Sequence, residues 1–223
     1  MTAARQLFLD RVRKALAADT RPGQARDIPP RGQVGYQGAG PDLIQRFCDE
    51  LTVAGAKAYR VPDAPSAVGL IGKLVQQAGA QSVLLGRGAV VDSLNLGEAL
   101  RQMGACAVTA QDGRDASFQA QQGITGVFAA IAETGSLVVA SARGEPRSFS
   151  LLPPLHIAVV GQHQIIPDLF DLFETSLTPS AGLPSCVTLI TGPSKTGDIE
   201  LRLVTGVHGP GELHVVILES SGG

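Results

Sequence analysis

Three short segments of this chain combine side chains that transfer protons or hold anions with the glycines that turn a backbone sharply. Their sequences are AETGS at 132–136, TGPSKTGDIE at 191–200 and TGVHGPGE at 205–212. Each segment borders an apolar run typical of a strand, so we expect all three in loops at strand ends. Side chains in such loops can meet at one rim of a sheet and do chemistry there.

Glu133 is the acidic residue of the first segment, and Thr134 and Gly135 complete its turn. A carboxylate in this position can act as a base, as a nucleophile or as an acceptor for a ligand hydroxyl. The alternative is a polar hairpin turn whose glutamate is solvated.

The second segment has the composition of an anion-binding loop, because its glycine and proline expose backbone N–H groups beside hydroxyls and a cation. It is not a Walker A motif, since no glycine directly precedes Lys195. The predicted anion-binding residues are Gly192, Pro193, Ser194, Lys195 and Thr196. Asp198 and Glu200 follow, and can bind a ligand hydroxyl, hold a metal through water or pair with the lysine. The alternative is a helix N-terminus capped by Ser194 or Thr196.

His208 stands in the third segment among residues that permit unusual backbone angles, with Gly209 next to it. A histidine in such a loop can act as an acid, a base or a ligand-binding group near neutral pH. The alternative is a surface turn that joins two strands. His156 and His214 belong to apolar strands, so we expect structural roles for both.

Arg143 and Arg147 lie in a charged loop before Pro153, and either can bind a carboxylate or phosphate through two hydrogen bonds. A solvated loop is the alternative. The turn Gly86-Arg87-Gly88 resembles part of a dinucleotide fingerprint, but the motif is incomplete and predicts no such site.

Composition excludes several classes of protein. The chain of 223 residues has a net charge of −2, although residues 1–31 hold seven Lys or Arg against three Asp or Glu. This balance argues against nucleic-acid binding, and no apolar run is long enough to span a membrane. The three cysteines, Cys48, Cys106 and Cys186, lie far apart and form no iron–sulfur or zinc motif. We expect buried free thiols, no metal site and a cytoplasmic location.

The pattern divides the chain into an N-terminal helix and extended arm at 1–40 and an α/β domain at 41–223. Helices are predicted at 3–17, 41–54, 63–78, 94–103 and 167–177. Strands are predicted at 57–61, 82–85, 106–109, 127–132, 137–140, 155–160, 187–191 and 213–218. Apolar strands that alternate with helices indicate a mostly parallel sheet covered on both faces. In such sheets ligands bind beyond the carboxyl ends of the strands.

Several blocks in order resemble the lactate-utilisation domain (LUD) family, in its protein C branch. They are FLDRVRKAL at 8–16, GITG at 123–126, IAETGSLV at 131–138, LPPLHI at 152–157, TGPSKTGDIE at 191–200 and GVHGP at 206–210. The resemblance covers most of the chain. It implies a three-layer α/β sandwich like that of the sugar-phosphate isomerase and CoA-transferase superfamily. It also implies a part in oxidising L-lactate to pyruvate, beside two iron–sulfur partner proteins.

Three functional hypotheses remain open at this point. The chain is a subunit of a lactate-oxidising assembly that binds a small anion, with Glu133, Asp198 and His208 handling protons; its cofactor is unknown, and it carries no iron–sulfur centre itself. Alternatively, it is a stand-alone enzyme acting on a sugar phosphate or an acyl-CoA. Finally, it is a non-catalytic scaffold or regulator whose basic leading helix docks on the partner proteins.

Overall fold

The computed structural model describes residues 3–19, 38–142, 145–177, 184–199 and 202–219. Contacts within the chain define two compact units, 1–36 and 37–223. The first unit contains helix α1 (Ala3–Asp19), on which Leu7, Phe8 and Val12 are exposed. This boundary in the sequence lies near the predicted one at residue 40, which stays a prediction.

The second unit alternates helices and strands along the chain. Its helices are α2 (Leu43–Ala54), α3 (Ala64–Gln77), α4 (Ala89–Ser93), α5 (Leu96–Gln102), α6 (Gly113–Gln119), α7 (Ser148–Leu151) and α8 (Leu169–Asp171). Its strands are β1 (Lys57–Val61), β2 (Ser82–Leu85), β3 (Cys106–Val108), β4 (Gln122–Thr125), β5 (Ala129–Ile131), β6 (Ser136–Ala140), β7 (Leu155–Gly161), β8 (Ile165–Ile166), β9 (Val187–Ile190), β10 (Lys195–Ile199), β11 (Arg202–Thr205) and β12 (Glu212–Leu218).

Local capping residues set the ends of the two longest helices of this unit. The Asp42 carboxylate accepts a hydrogen bond from the Gln45 N–H at 2.9 Å and begins α2. Gly55 ends that helix in the left-handed region at φ +92°, where glycine carries no steric penalty. Asp63 caps α3 in the same way, accepting from the Ser66 N–H at 2.8 Å. These caps confirm the helices predicted at 41–54 and 63–78.

Six strands form the central sheet in the order β1-β12-β7-β4-β2-β3, and every neighbouring pair is parallel. Side chains of β7 alternate between the two faces. Ile157 and Val159 pack with α3, α4 and α5, whereas Ala158 and Val160 pack with α2. The predicted α/β class with a mostly parallel, covered sheet is therefore confirmed.

A second sheet covers part of the face on which α2 lies. Its order is β8-β5-β6-β9, with antiparallel β5-β6 and β6-β9 pairs and a parallel β5-β8 pair. Ala130 and Leu137 from this sheet share a core cluster with Phe47 of α2 and Val215 of β12. The sequence predicts most of these strands but not their membership of a separate sheet, since short apolar runs do not encode their partners.

Three local predictions are wrong. Residues 195–199 form a strand paired antiparallel with β11, so the alternative of a helix N-terminus in this loop is excluded. The predicted helix at 167–177 consists of the short α8 followed by a π-helical turn over Leu172–Ser176. The cysteines are not fully buried, because Cys106 is exposed and Cys48 and Cys186 are half-buried.

Candidate functional site

A cavity of about 210 Å³ lies between the two sheets and brings together two of the three segments singled out from the sequence. Its wall consists of residues 150–151, 188–194 and 208–210 together with His156 and Leu213. We call it the inter-sheet pocket. Gly192, Pro193, Ser194, His208 and Gly209 all belong to this wall.

The position of the pocket differs in part from the expected one. His156 and Leu213 are the second residues of β7 and β12, so the pocket lies at the amino ends of these central strands. Among the described strands that contribute to the wall, only β9, in the second sheet, directs its carboxyl end toward the pocket. The expectation of a cleft beyond the carboxyl ends assumed that β9 belonged to the parallel sheet.

Backbone hydrogen bonds join the two loops of the pocket wall. The Ser194 N–H donates to the Pro210 carbonyl at 2.8 Å, and the Gly206 N–H donates to the Ser194 carbonyl at 3.1 Å. The Gly211 N–H then donates to the Pro154 carbonyl at 2.9 Å, just before β7. The residues around Ser194 and His208 are thus held together by main-chain contacts.

Two glycines allow the loops to lie directly on the C-terminal end of α2. Gly192 has φ +81°, and a Cβ there would come within 2.5 Å of the Ala54 carbonyl oxygen. Gly135 has φ +63°, and a Cβ there would come within 2.5 Å of the Leu51 nitrogen. Both positions require glycine for backbone angle and for space.

Lys195 also contacts the end of α2. Its Nζ donates a hydrogen bond to the Ala54 carbonyl oxygen at 2.6 Å. An ammonium group at this position satisfies a carbonyl that the helix leaves unpaired and interacts favourably with the helix dipole. This contact accounts for Lys195 as a helix-capping residue, and Lys195 does not belong to the pocket wall.

A chain of hydroxyl groups connects the Glu133 turn to the pocket wall. Thr134 Oγ1 lies 2.7 Å from Ser136 Oγ, which lies 2.6 Å from Thr191 Oγ1. The Glu133 N–H donates to the Pro167 carbonyl at 3.0 Å and extends the pairing of β5 with β8. The turn is therefore tied to the pocket through Thr191, although Glu133 is not part of its wall.

Four predicted site residues have side chains that the structure does not describe. Thr196 and Asp198 lie in β10, but their side chains are outside the described part of the chain. Arg143 and Glu200 lie wholly outside it. Their predicted roles stay predictions.

His156 is the site residue that sequence reasoning missed. Its side chain is 1% exposed and lines the pocket, and its Nε2 lies 2.9 Å from Thr125 Oγ1. Nδ1 is buried, with no hydrogen-bond partner among the described residues. Burial lowers its pKa to about 4, so the imidazole is neutral at physiological pH. A polar residue within the apolar run LHIAVV was the available signal.

The described wall of the pocket contains two histidines and several hydroxyl groups but no Lys or Arg. His208 is exposed at the mouth, whereas His156 is enclosed. Such a pocket offers imidazole, hydroxyl and backbone groups to a small polar ligand, and it can hold at most a modest negative charge.

The described residues contain no group of three or more His, Cys, Asp or Glu side chains arranged to bind a metal ion. Within the same residues, no helix combines the length and the apolar composition that a membrane crossing requires.

Comparison with known proteins gives a consistent result. A profile of the LUD domain matches residues 44–218. Lactate utilization protein C of Bacillus subtilis is 42% identical over 95 residues, which cover 41% of this chain and 40% of that protein. The protein of the same name from Halalkalibacterium halodurans is 40% identical over 104 residues, covering 45% of each. The chain therefore matches less than half the length of these curated relatives.

Two longer matches carry descriptions that state no activity. Uncharacterized protein YkgG of Escherichia coli is 32% identical over 229 residues, covering 95% of this chain and 96% of that protein. The crystal structure of a DUF162 family protein from Deinococcus radiodurans aligns with a TM-score of 0.55, covering 86% of this chain and all of that chain. The two sequences are 21% identical, so this likeness shows the fold alone.

Proposed function

Because the chain belongs to the LUD domain family, we propose that it is a lactate-utilisation protein that takes part in oxidising L-lactate to pyruvate. The names of the relatives from Bacillus subtilis and Halalkalibacterium halodurans support this role. We also propose that two iron–sulfur proteins act beside it, as the family resemblance implies, and that those partners accept the electrons.

We further propose that the inter-sheet pocket binds the small 2-hydroxy acid or its 2-keto product. The observation that carries this proposal is the convergence of Ser194 and His208 on a cavity that encloses a neutral histidine. The exposed mouth, with its hydroxyl and imidazole groups, suits the carboxylate. The buried neutral imidazole of His156 suits an uncharged hydroxyl or carbonyl oxygen, because no ion has to be desolvated there.

Oxidation of L-lactate to pyruvate removes two electrons and two protons. In our proposal the hydroxyl group lies between the enclosed His156 and the mouth of the pocket, and His208 accepts its proton there, where a histidine can exchange it with solvent. Glu133 and Asp198 remain candidates for relaying protons. The electrons and the second proton leave through the partner proteins, and this chain binds and orients the substrate.

Growth on L-lactate tests the role, and calorimetric titration of the purified chain with L-lactate and pyruvate tests the pocket. A strain lacking the gene is supplied with the native chain, Ser194→Ala, His208→Ala or His163→Ala. His163 serves as the matched control. It is an exposed histidine in the turn that follows β7, so it lies at the carboxyl end of that strand, whereas the pocket lies at its amino end. We expect the two pocket variants to slow growth and weaken binding at least tenfold, with the control unchanged. Full rescue and native affinity in both pocket variants would remove the pocket from the proposal.

The exposed apolar side chains of α1 support a second candidate role, as a docking subunit. Leu7 and Phe8 are 59% and 64% exposed, and basic residues flank them in the sequence. Exposed apolar patches of this kind mark interaction surfaces. In this case removal of residues 1–40 abolishes co-purification with the iron–sulfur partners, while ligand binding by the remaining chain persists. Undiminished co-purification after the truncation would exclude α1 as the dock.

A further inference from the structure

The inter-sheet pocket is larger than lactate requires. Its volume is about 210 Å³. An apolar cavity of about 150 Å³ holds a benzene molecule, which corresponds to about 25 Å³ for each non-hydrogen atom. On the same scale the inter-sheet pocket has room for about eight non-hydrogen atoms, whereas lactate and pyruvate each have six. A ligand with two further atoms therefore fills the pocket better than lactate does.

Side chains from the two sheets face each other across this pocket. His156 and Leu213 are register partners on β7 and β12, and Leu213 belongs to the core cluster between the sheets. Ile190 of β9 packs against the same cluster from the second sheet. All three residues line the pocket. The enclosed imidazole thus has an apolar surface beside it, formed by Leu213 and Ile190.

Leu151 extends this apolar surface toward the mouth of the pocket. It is the last residue of α7 and belongs to the pocket wall, yet its side chain is 40% exposed. The start of α7 lies next to β9, because Arg147 Nη1 is 3.8 Å from Cys186 Sγ. An accessible apolar side chain at a cavity is stabilised by contact with an apolar group of a ligand, since both groups then leave water.

The charges of the wall restrict what can lie on this apolar surface. Ser194 and His208 offer a hydroxyl and an imidazole to one carboxylate, but the described wall has no Lys or Arg. A second carboxylate placed against Leu213 and Ile190 would lose its hydration without gaining a cationic partner there, which is costly. The surface therefore favours an aliphatic side chain over an acidic one.

We propose that the inter-sheet pocket takes 2-hydroxy acids with an aliphatic side chain of up to three carbons, and that it binds L-2-hydroxypentanoate more tightly than L-lactate. The side chain of the ligand lies on Leu213, Ile190 and Leu151. This inference rests on the proposed function, because the carboxylate and the hydroxyl group occupy the positions assigned above to those of lactate.

The chemistry of the longer acids is that of lactate. Carbon 2 is oxidised from an alcohol to a ketone and loses two electrons and two protons. His208 accepts the hydroxyl proton, and the electrons and the second proton leave through the partner proteins, as proposed above. The added methylene groups take no part in the reaction and act on binding alone.

Calorimetric titration of the purified full chain with four acids tests the proposal. The acids are L-lactate, L-2-hydroxybutanoate, L-2-hydroxypentanoate and L-malate. Each added methylene group that leaves water should lower Kd about fourfold, so that the two together give about fifteenfold. L-malate is similar in size to L-2-hydroxypentanoate but carries a second carboxylate, and it should bind more weakly than L-lactate.

Variants of the apolar surface locate the gain. The measured quantity is the Kd of L-lactate divided by that of L-2-hydroxypentanoate. Leu151→Ala should lower this ratio about threefold, and Ile190→Val, which removes one methylene group, about twofold. Leu169→Ala is the matched control, because Leu169 is also a 40% exposed leucine of a short helix but is outside the pocket wall. It should keep the native ratio.

The outcomes separate this inference from the proposed function. If L-lactate binding depends on Ser194 and His208 but L-2-hydroxypentanoate binds no more tightly, the inference falls and the proposed function stands. A native ratio in both folded wall variants, or L-malate binding as tight as that of L-2-hydroxypentanoate, would also overturn the inference alone. If none of the four acids binds, the pocket is removed from the proposed function as well.

Discussion

The Ser194 N–H donates to the Pro210 carbonyl at 2.8 Å and joins two loops that lie sixteen positions apart in the sequence. This bond places the end of β9, from the second sheet, against the residues that lead into β12, from the central sheet. The inter-sheet pocket therefore exists only when both sheets are packed together. Variants that loosen this packing should affect ligand binding as well as stability.

The first prediction concerns the contact of Gly192 with α2. Gly192→Ala should lower the free energy of unfolding by about 3 kcal/mol, because left-handed backbone strain adds to a steric clash with Ala54. Gly104→Ala is a matched control, since Gly104 has φ +82° against +81° at Gly192 but nothing within 4 Å of its Cβ position. Its cost should be about 1–2 kcal/mol. Equal losses of unfolding free energy for the two variants in urea would show that a side chain at Gly192 does not clash with α2.

The second prediction concerns the hydroxyl chain through Ser136. Ser136→Ala should cost about 1–3 kcal/mol, because Thr134 and Thr191 each lose the partner described above. Ser117→Ala is the control. The Ser117 hydroxyl also donates a hydrogen bond and is buried, but its acceptor is a carbonyl of its own helix. Chemical denaturation of both variants measures the difference, and a Ser136 loss no larger than the control would contradict the prediction.

The third prediction assigns Lys195 to the end of α2. Lys195→Met should reduce stability by about 0.5–1 kcal/mol, since the Ala54 carbonyl loses a charged donor. L-lactate affinity should stay at the native value, because Lys195 is outside the pocket wall. Lys73→Met, at an exposed position on α3, should change neither quantity. A selective loss of affinity with native stability would instead support anion binding by Lys195.

The fourth prediction follows from the burial of His156. Its folded-state pKa of about 4 lies below the ordinary value of 6.5, so only the unfolded chain takes up a proton between these pH values. His156 therefore lowers stability as the pH falls from 6.5 toward 4, by up to about 3 kcal/mol. His156→Gln should remove this part of the pH dependence in urea titrations. An unchanged slope between pH 4.5 and 6.5 would mean that the imidazole binds a proton as readily in the folded chain as in the unfolded chain.

The fifth prediction has the opposite sign and concerns Glu145. Burial raises its folded-state pKa to about 7, above the ordinary value of 4.5, so the folded chain retains a proton that the unfolded chain releases. Stability should therefore fall as the pH rises from 4.5 to 7. Comparison with Glu145→Gln isolates this effect from that of His156. If the variant and the native chain lose stability in parallel over this range, Glu145 is ionised in the fold.

The central sheet was largely predictable, because β7 and β12 are continuous apolar runs and Asp63 and Gly55 are local signals at helix ends. The missed strand β4 has the sequence QGIT, which carries few apolar side chains. Its position is set by pairing with β2 and β7, information that a short window does not contain.

The candidate site was predictable where chemistry and backbone signals coincide, as they do at Ser194 and His208. The protonation of His156 and Glu145 was not predictable, since burial decides it for both. The apolar run around His156 signals burial but not its effect on the imidazole, and a glutamate in a charged loop has ordinary sequence surroundings. Only the fold encloses them and shifts their pKa values in opposite directions.

Helix α2 limits how the inter-sheet pocket can open. Gly135, Gly192 and Lys195 all contact the C-terminal part of this helix. The loop that follows β9 therefore cannot move toward α2 to enlarge the cavity. The turn at 206–209 is more accessible to solvent and has less packed against it. Any widening of the pocket therefore has to involve this turn, which the bond between Ser194 and Pro210 ties to the β9 side.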